Sequence, residues 1–376
     1  MRVTWDIFCS VVDNFGDIGV TWRLARQLVA EHDLDVRLWV DDLPAFARLC
    51  PELDVQAAEQ FQQGVRVCAW PTLWLPVTPA AVVIEAFACA LPAAYIAAMA
   101  SGPRRLWLNL EYLSAEDWVP GCHALPSLQG NGLQKFFFFP GFVPQTGGLL
   151  READLLERRR LFQQTPQLRQ AFLARLGVNL APAARLISLF AYENSGLASW
   201  LEALASAAQP THLLVPEGRI LVDLQRWLSG DPLAPGSLRV RGALTVQVLA
   251  FLCQDDYDRL LWSCDFNAVR GEDSFVRAQW AGRPMLWHIY PQEQGAHWDK
   301  LEAFLALYSD SLSPAAREAL LALWRAWNAG EPMTEGWQAL QSVWSELSAQ
   351  AENWCQRQAA QKDLAAGLVQ FYLNWL

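Results

Sequence analysis

The order of apolar and polar positions predicts two α/β patterns, one after the other. In the first, residues 5–12 form an apolar, strand-like run, and residues 18–29 repeat apolar side chains at the 3.6-residue period of a helix. The alternating residues Val36, Leu38 and Val40 indicate the next strand. Further strand candidates lie at 65–69, 81–85 and 105–109. Strands that alternate with helices favour parallel βαβ units.

A second pattern of the same kind starts after residues 177–184. That stretch carries Gly177, Pro182 and small residues, which is typical of a linker between domains. The strands predicted beyond it lie at 185–190, 211–215, 238–240, 265–270 and 284–289, with helices at 197–204, 220–228, 255–263 and 273–281. From about Gly295 the chain is predicted to be almost entirely helical.

The two patterns predict an α/β fold with two Rossmann-like domains that face each other across a cleft. We expect an N-terminal domain at 1–178 and a C-terminal domain at 183–354, with the last helix, at about 355–376, packing back on the first domain. Ligands of open parallel sheets bind at the carboxyl ends of the strands, near the point where the strand order reverses. The active site is therefore expected in the cleft.

Composition narrows the classes of function. Of the 376 residues, 53% are hydrophobic and 18% are charged, as in globular proteins. The net charge of −10 disfavours a nucleic-acid partner, because an acidic chain repels phosphate backbones. No apolar run approaches the ~18 residues that cross a bilayer. The first ten residues lack the uncharged core of a secretory signal, so we expect a cytoplasmic protein without a membrane partner.

The first candidate site is the junction between the first strand and its helix. It consists of Asp13, Asn14, Phe15, Gly16, Asp17, Ile18 and Gly19. The glycines allow tight backbone and the close approach of a ligand. Asp13 and Asp17, four residues apart, can converge to hold a cationic acceptor and to take its proton. Alternatively, Asp17 caps the helix and Asp13 closes a turn.

The second candidate site follows the strand that ends at Arg270. A helix predicted to begin near Ser274 would present free N–H groups to an anion, and Arg270 and Ser274 would add a charge and a hydroxyl. This arrangement is typical of a diphosphate site that needs no metal. Glu272 suits sugar hydroxyls or the reaction centre better than phosphate. The alternative is an ordinary helix with Asp273 or Ser274 as its cap.

Aromatic and amide side chains of the second half are candidates for binding a nucleotide base. Phe251 could stack on the base and Gln254 could hydrogen-bond it. Phe190 and Tyr192, at the end of the first strand of that half, could also face the nucleotide. Aromatic residues at such positions are equally typical of a core.

No metal site is expected. The Asp-x-Asp spacing that serves as a metal site in other transferases occurs at 33–35, in a turn, and at 256–258, inside a predicted helix. Neither position is at a strand end. The cysteines form no Cys-x-x-Cys pair, and no histidine completes a zinc-ligand spacing.

Several of these segments together resemble the elongation factor P arginine rhamnosyltransferase family. The resemblance is carried by residues 5–26, 38–42, 109–114, 136–144, 251–261 and 270–290. It spans nearly the whole chain, and it implies the GT-B glycosyltransferase fold. It also implies dTDP-β-L-rhamnose as donor and an arginine guanidinium nitrogen of elongation factor P as acceptor. Inversion at the anomeric carbon, with no metal and no cofactor, is implied as well.

The resemblance also assigns roles by motif. Asp13, Asp17 and Glu272 match the catalytic acidic residues. The donor-binding positions are matched by Phe190, Tyr192, Phe251, Gln254, Arg270, Asp273, Ser274 and Tyr290. Our hypothesis makes Asp17 the general base and Asp13 the group that orients the acceptor, and the reverse assignment stays open.

Two other functions are compatible with the same architecture. A sugar-nucleotide epimerase would use a donor and no protein acceptor. A non-catalytic module that binds a nucleotide sugar or another protein would not need acidic residues at the strand ends of both domains.

Overall fold

The structure, a computed structural model, describes residues 2–12, 15–74, 76–181, 183–228, 230 and 232–376. The chain divides into two compact units. The first consists of Met1–Ala153 together with Gln358–Leu376, and the second consists of Asp154–Arg357.

Over the described residues, the first unit contains an eight-stranded sheet. Its strands are β1 (Thr4–Cys9), β2 (Asp35–Val40), β3 (Glu59–Gln62), β4 (Val65–Ala69), β5 (Val82–Ala86), β6 (Leu106–Leu110), β7 (Pro126–Leu128) and β8 (Gln134–Phe138). Their order is β3-β4-β2-β1-β5-β6-β8-β7, and only the edge strands β3 and β7 pair antiparallel among these. The strand order reverses at β1, which lies between β2 and β5.

The second unit is built on a six-stranded sheet, again over the described residues. Its strands are β9 (Arg185–Leu189), β10 (Thr211–Pro216), β11 (Leu238–Arg241), β12 (Leu244–Leu249), β13 (Phe266–Arg270) and β14 (Met285–His288). The order is β11-β12-β10-β9-β13-β14, with β11 antiparallel at one edge. Here the strand order reverses at β9, between β10 and β13.

Helices connect and cover these strands. They are α1 (Gly16–His32), α2 (Leu43–Ala47), α3 (Ala93–Ser101), α4 (Val119–Cys122), α5 (Leu155–Gln164), α6 (Pro166–Arg175), α7 (Leu197–Ala205), α8 (Leu221–Leu228), α9 (Gln254–Ser263), α10 (Asp273–Ala281), α11 (Ala296–Tyr308), α12 (Pro314–Ala329), α13 (Thr334–Ser342), α14 (Trp344–Ala359) and α15 (Leu364–Trp375). A 3-10 turn spans Glu293–Gly295. Across the described part of the chain, no helix is both long enough and apolar enough to cross a bilayer.

The central strands β5 and β6 form where the sequence is mostly apolar. Every residue of β5 and β6 is buried, including the polar Glu85 and Asn109, because parallel strands are covered on both faces. Tryptophan fills much of the interior rather than marking a site. The largest fully buried side chains include Trp5, Trp22, Trp200, Trp280, Trp324, Trp327, Trp337 and Trp354.

The boundary between the units lies earlier than the expected position at 178. The helices α5 and α6 belong to the second unit, because they pack on α9. The rings of Phe162 and Trp262 are 5.8 Å apart, and the Arg169 guanidinium donates to the Ser263 carbonyl at 2.7 and 2.9 Å. The expected linker is also anchored within this unit, where Gln247 donates to the Gly177 carbonyl at 3.2 Å.

The end of the chain returns to the first unit. Within it, α15 packs on α1, and the Leu364 N–H donates to the Leu149 carbonyl at 3.0 Å. Gln27 of α1 donates to the Asp363 carboxylate at 3.1 Å, and Asp363 also caps α15 by accepting from the Ala366 N–H. The first unit is therefore completed by the last residues of the chain.

Candidate functional site

In the first unit, polar side chains gather where the parallel strands β1, β2, β5 and β6 end. Asp17 lies in the first turn of α1 and is only 2% exposed. Its Oδ2 accepts the Val12 N–H at 3.0 Å, and its Oδ1 accepts the Tyr112 hydroxyl at 3.2 Å. The N-cap of α1 is Phe15 rather than Asp17. The carboxylate is thus held through both oxygens by groups outside its own helix.

Tyr112 follows β6, and its ring stacks on Phe87, which follows β5. The two ring centroids are 4.5 Å apart, with 19° between the ring planes. Phe87 and Ala88 both adopt left-handed backbone, with φ of 56° and 55°. Residues other than glycine rarely adopt this conformation, which concentrates at functional sites. We identify Phe87 and Tyr112 as site residues that motif reasoning did not assign.

A second carboxylate, that of Asp41, fixes the backbone between β1 and α1. It accepts the Ser10 hydroxyl at 2.5 Å and the Val11 N–H at 2.9 Å. The neighbouring Asp42 does cap a helix, because its carboxylate accepts the Ala45 N–H of α2 at 2.9 Å.

The remaining residues of the first motif lie at the start of α1. Phe15 precedes the helix, Gly16 begins it, and the Gly19 N–H donates to the Phe15 carbonyl at 2.9 Å. Asp13 and Asn14 lie outside the described residues. The expected convergence of Asp13 and Asp17 therefore stays a prediction.

In the second unit, the central feature is the buried guanidinium of Arg270, at the end of β13. Arg270 is 6% exposed, and its Cζ lies 4.7 Å from the ring centroid of Phe190 and 4.6 Å from that of Tyr192. Among the described residues, its Nη1 has no hydrogen-bond partner. Burial of a cation with an unpaired N–H donor costs free energy, unless an anion accepts the hydrogen bond and balances the charge.

The N-terminus of α10 lies directly after Arg270 in the chain. Gly271, with φ of 61°, makes the turn, and its carbonyl accepts the Trp287 indole N–H at 2.8 Å. Glu272 is the N-cap residue, and α10 begins at Asp273, so Ser274 lies in the first turn. The first N–H groups of a helix carry partial positive charge, so this end of α10 favours an anion.

The other predicted donor-binding residues surround this turn from neighbouring elements. The Gln254 amide, at the start of α9, donates to the Asp273 carboxylate at 3.4 Å. The ring of Tyr290, which is 48% exposed, lies 5.5 Å from that of Tyr192. Phe251 is partly exposed just before α9. The structure therefore places the other predicted donor residues at the carboxyl ends of β9, β13 and β14, whereas Phe251 and Gln254 follow β12.

Two further groups belong to this edge and were not assigned from sequence. His288, at the end of β14, lies 5.3 Å from the Tyr192 ring. Burial, followed by the charge of Arg270, lowers its pKa to about 4, so the imidazole is neutral. Arg219 bonds Glu193 at 2.8 Å and lies 5.6 Å from the Tyr192 ring. His288 ends β14, so the rule that ligands meet the carboxyl ends of parallel strands could have found it.

The two Asp-x-Asp segments have structural roles. Asp256 pairs with Arg175 and Arg259 at 2.6 and 2.8 Å, and Asp258 pairs with the buried Arg277 at 2.6 Å. Asp33 ends α1. Among the residues described, no three His, Cys, Asp or Glu side chains lie close enough together to hold a metal ion.

Comparison with known proteins identifies the family. The family described as Elongation-Factor P (EF-P) rhamnosyltransferase EarP matches residues 5–373. The chain belongs to this family. A protein-arginine rhamnosyltransferase of Pseudomonas putida is 67% identical to it, with 100% of both chains covered. The corresponding protein of Pseudomonas aeruginosa is 60% identical over 99% of this chain and 100% of its own.

Solved structures establish the fold. One that describes the structural basis for EarP-mediated arginine glycosylation of translation elongation factor EF-P is 51% identical and covers 100% of both chains, with a TM-score of 0.74. A glycosyltransferase from Rickettsia africae is 9% identical, covers 99% of this chain and 98% of its own, and has a TM-score of 0.57. The predicted GT-B glycosyltransferase fold and the predicted family are both confirmed, and the chain is a glycosyltransferase.

Proposed function

We propose that this EarP family member transfers L-rhamnose from dTDP-β-L-rhamnose to a guanidinium nitrogen of an arginine of elongation factor P. The anomeric centre is inverted, and neither a metal nor a cofactor takes part. The reaction modifies a translation factor, so we place it in the cytoplasm. The names of the relatives support rhamnose as the transferred sugar and arginine as the modified residue. The 51%-identical structure supports elongation factor P as the acceptor protein.

One observation carries the donor part of this proposal. The Arg270 guanidinium is buried between two aromatic rings, with one nitrogen atom lacking a hydrogen-bond partner among the described residues. It adjoins the N-terminus of α10. A diphosphate supplies the negative charge and the acceptor oxygens that such a site needs. Ser274 adds a hydroxyl, while Phe251 and Gln254 bind the thymine base by stacking and hydrogen bonding.

The acceptor part is supported by the carboxylates of the first unit. A guanidinium has a pKa above ~12 and is a poor nucleophile. Directed hydrogen bonds from Asp17, and from Asp13 by its family position, would localise the guanidinium electrons and orient one nitrogen. Asp17 is nearly fully buried and is held through both oxygens, so it can provide a fixed direction.

The reaction is a single displacement. A guanidinium nitrogen attacks the anomeric carbon, the bond between that carbon and the diphosphate oxygen breaks, and the nitrogen loses a proton to Asp17. The transition state resembles an oxocarbenium ion, as in other glycosyl chemistry. Arg270, Ser274 and the N–H groups of α10 stabilise the leaving dTDP. Glu272 positions the sugar or the acceptor, and Tyr192 and Tyr290 line the donor site.

Attraction between the two proteins needs local complementarity. This chain carries a net charge of −10, so its overall charge attracts only a basic partner. The acidic groups at the strand ends of the first unit would instead select the arginine itself.

The test is the intact mass of elongation factor P after incubation with the protein, dTDP-β-L-rhamnose and a chelator. A gain of one deoxyhexose, mapped to an arginine, is expected, and NMR of the product should show the inverted anomer. Asp17→Asn should lose transfer while it keeps donor affinity. The matched control is Asp363→Asn, a carboxylate of the same unit that caps α15.

Each part of the proposal has its own contrary result. Folded protein that binds the donor and transfers nothing would overturn the acceptor assignment. Release of an altered sugar nucleotide would instead indicate an epimerase. Transfer that stops only when the chelator is present would refute metal independence. Loss of donor binding in folded Asp17→Asn protein would remove Asp17 from the role of base.

A further inference from the structure

We propose that Tyr112 is a positioning residue of the transfer reaction, which orients the Asp17 carboxylate toward the acceptor guanidinium with its hydroxyl. The inference deepens the proposed function and rests on it. It concerns a residue that the catalytic motifs do not include, 95 positions along the chain from Asp17.

Hydrogen bonds to both oxygens fix the orientation of the Asp17 carboxylate. The Val12 N–H holds Oδ2 at 3.0 Å, and the Tyr112 hydroxyl holds Oδ1 at 3.2 Å. A carboxylate fixed at one oxygen can still rotate about its Cβ–Cγ bond, whereas a hydrogen bond to each oxygen sets the plane. The direction in which Asp17 meets a planar guanidinium is then determined, and recognition of that group depends on direction.

Tyr112 is itself held in place by its neighbours. It is 37% exposed, so burial alone does not fix its ring. Its ring stacks on that of Phe87 at 4.5 Å, and Phe87 is held in left-handed backbone by its N–H bond to the Leu110 carbonyl at 2.7 Å. The next N–H, of Ala88, donates to the buried Asn109 side chain at 3.2 Å.

These contacts form one chain of support from the sheet to the carboxylate. Asn109 on β6 and the left-handed turn after β5 direct the Phe87 ring. Phe87 stacks on Tyr112, and the Tyr112 hydroxyl orients the Asp17 carboxylate. Unfavourable backbone persists only where its surroundings require it, and two successive left-handed residues at this edge indicate such a requirement. The stacked pair has a role that packing in a core does not explain, because part of Tyr112 faces solvent.

The experiment compares Tyr112→Phe with the wild-type protein in the elongation factor P transfer assay at saturating donor. The variant keeps the ring and its stacking and loses only the hydroxyl. We expect kcat to fall about 10- to 100-fold, as for loss of one hydrogen bond to a charged group. The KM for the acceptor and the Kd for dTDP should change less than about twofold.

A double-mutant cycle tests whether Phe87 acts through Tyr112. Phe87→Leu should lower kcat, and Phe87→Tyr, which keeps a stacking ring, should restore it. In the Tyr112→Phe background, Phe87→Leu should have no further effect, because the contact that it supports is already lost. Tyr372→Phe, at a tyrosine on α15, is the matched control and should behave like wild type.

The contrary outcomes are distinct. If the wild-type protein transfers rhamnose and Tyr112→Phe keeps kcat within about twofold, Tyr112 does not position Asp17. A raised acceptor KM with unchanged kcat would make Tyr112 a docking residue instead, which also overturns the proposal. If the wild-type protein itself transfers nothing, the proposed function has failed rather than this inference.

Discussion

Arg270→Met should distinguish the effect of the buried guanidinium on stability from its effect on donor binding. The change removes the guanidinium and keeps an apolar side chain of similar length between Phe190 and Tyr192. In the ligand-free protein, two cation–π contacts of about 0.5–2 kcal/mol each are lost. The loss is offset because an unsatisfied buried donor, which costs about 1–3 kcal/mol, disappears as well. We expect the free energy of unfolding to change by less than about 1 kcal/mol.

The effect on dTDP binding should be much larger. Each charge-assisted hydrogen bond to the diphosphate contributes about 1.5–3 kcal/mol, so loss of two such bonds with the guanidinium should raise Kd at least ~100-fold. The assay is urea unfolding with and without dTDP at about 100 times the wild-type Kd. At that concentration, bound dTDP stabilises the wild-type protein by about 2.7 kcal/mol, and the variant by only about 0.4 kcal/mol.

Arg185→Met provides the matched control. Arg185 is a half-buried arginine of the same unit whose Cζ lies 4.1 Å from the Trp344 ring, away from the predicted donor residues. It should lower stability by about 1 kcal/mol and leave dTDP binding unchanged. A role of Arg270 in donor binding is refuted if Arg270→Met keeps most of the stabilisation by dTDP, or if the free energy of unfolding of the ligand-free variant falls by more than about 3 kcal/mol. Either result would make Arg270 a structural residue.

Two further predictions concern stability. Asp258→Asn should cost about 3–5 kcal/mol in urea unfolding, because it removes the carboxylate that pairs with the 1%-exposed Arg277. Asp258→Asn/Arg277→Met should recover part of the loss. Burial lowers the pKa of His288 from 6.5 to about 4. The contribution of its neutral imidazole to the free energy of unfolding is therefore fully present above pH 6.5 and is lost as the pH falls toward 4. His288→Gln should flatten the pH dependence of stability in that window, on the order of 2–3 kcal/mol, and an unchanged slope from denaturation at several pH values would contradict this.

The fold was predictable where strands are buried on both faces. The strand expected at 81–85 overlaps β5 (Val82–Ala86), in which every residue is buried, because a parallel strand covered on both faces is mostly apolar. The edge strands β3 and β7 were not predicted. Their sequences, Glu-Gln-Phe-Gln and Pro-Ser-Leu, are half-exposed and show no apolar pattern, so antiparallel pairing with a neighbour defines them.

The strand-end positions of the proposed donor-binding residues were predictable, because these residues lie within a few positions of apolar strands. Arg270 and Tyr192 needed only the rule that ligands meet the carboxyl ends of parallel strands. The contact between Tyr112 and Asp17 was not predictable in this way. It depends on β5 and β6 lying on the same side of β1, and local pattern does not give strand order. The left-handed backbone of Phe87 has no sequence signal either, since glycine is absent there.

The assignment of α15 to the first unit makes that unit discontinuous in sequence, with the second unit as an insertion between Ala153 and Gln358. A ribosome therefore completes the entire second unit before it releases the helix that finishes the first unit. Until then, the surface of α1 on which α15 packs stays exposed to solvent and to chaperones. Engineering follows the same connectivity. Residues 154–357 can be expressed as one uninterrupted piece, whereas the other half requires residues 1–153 to be joined to 358–376 by a new loop.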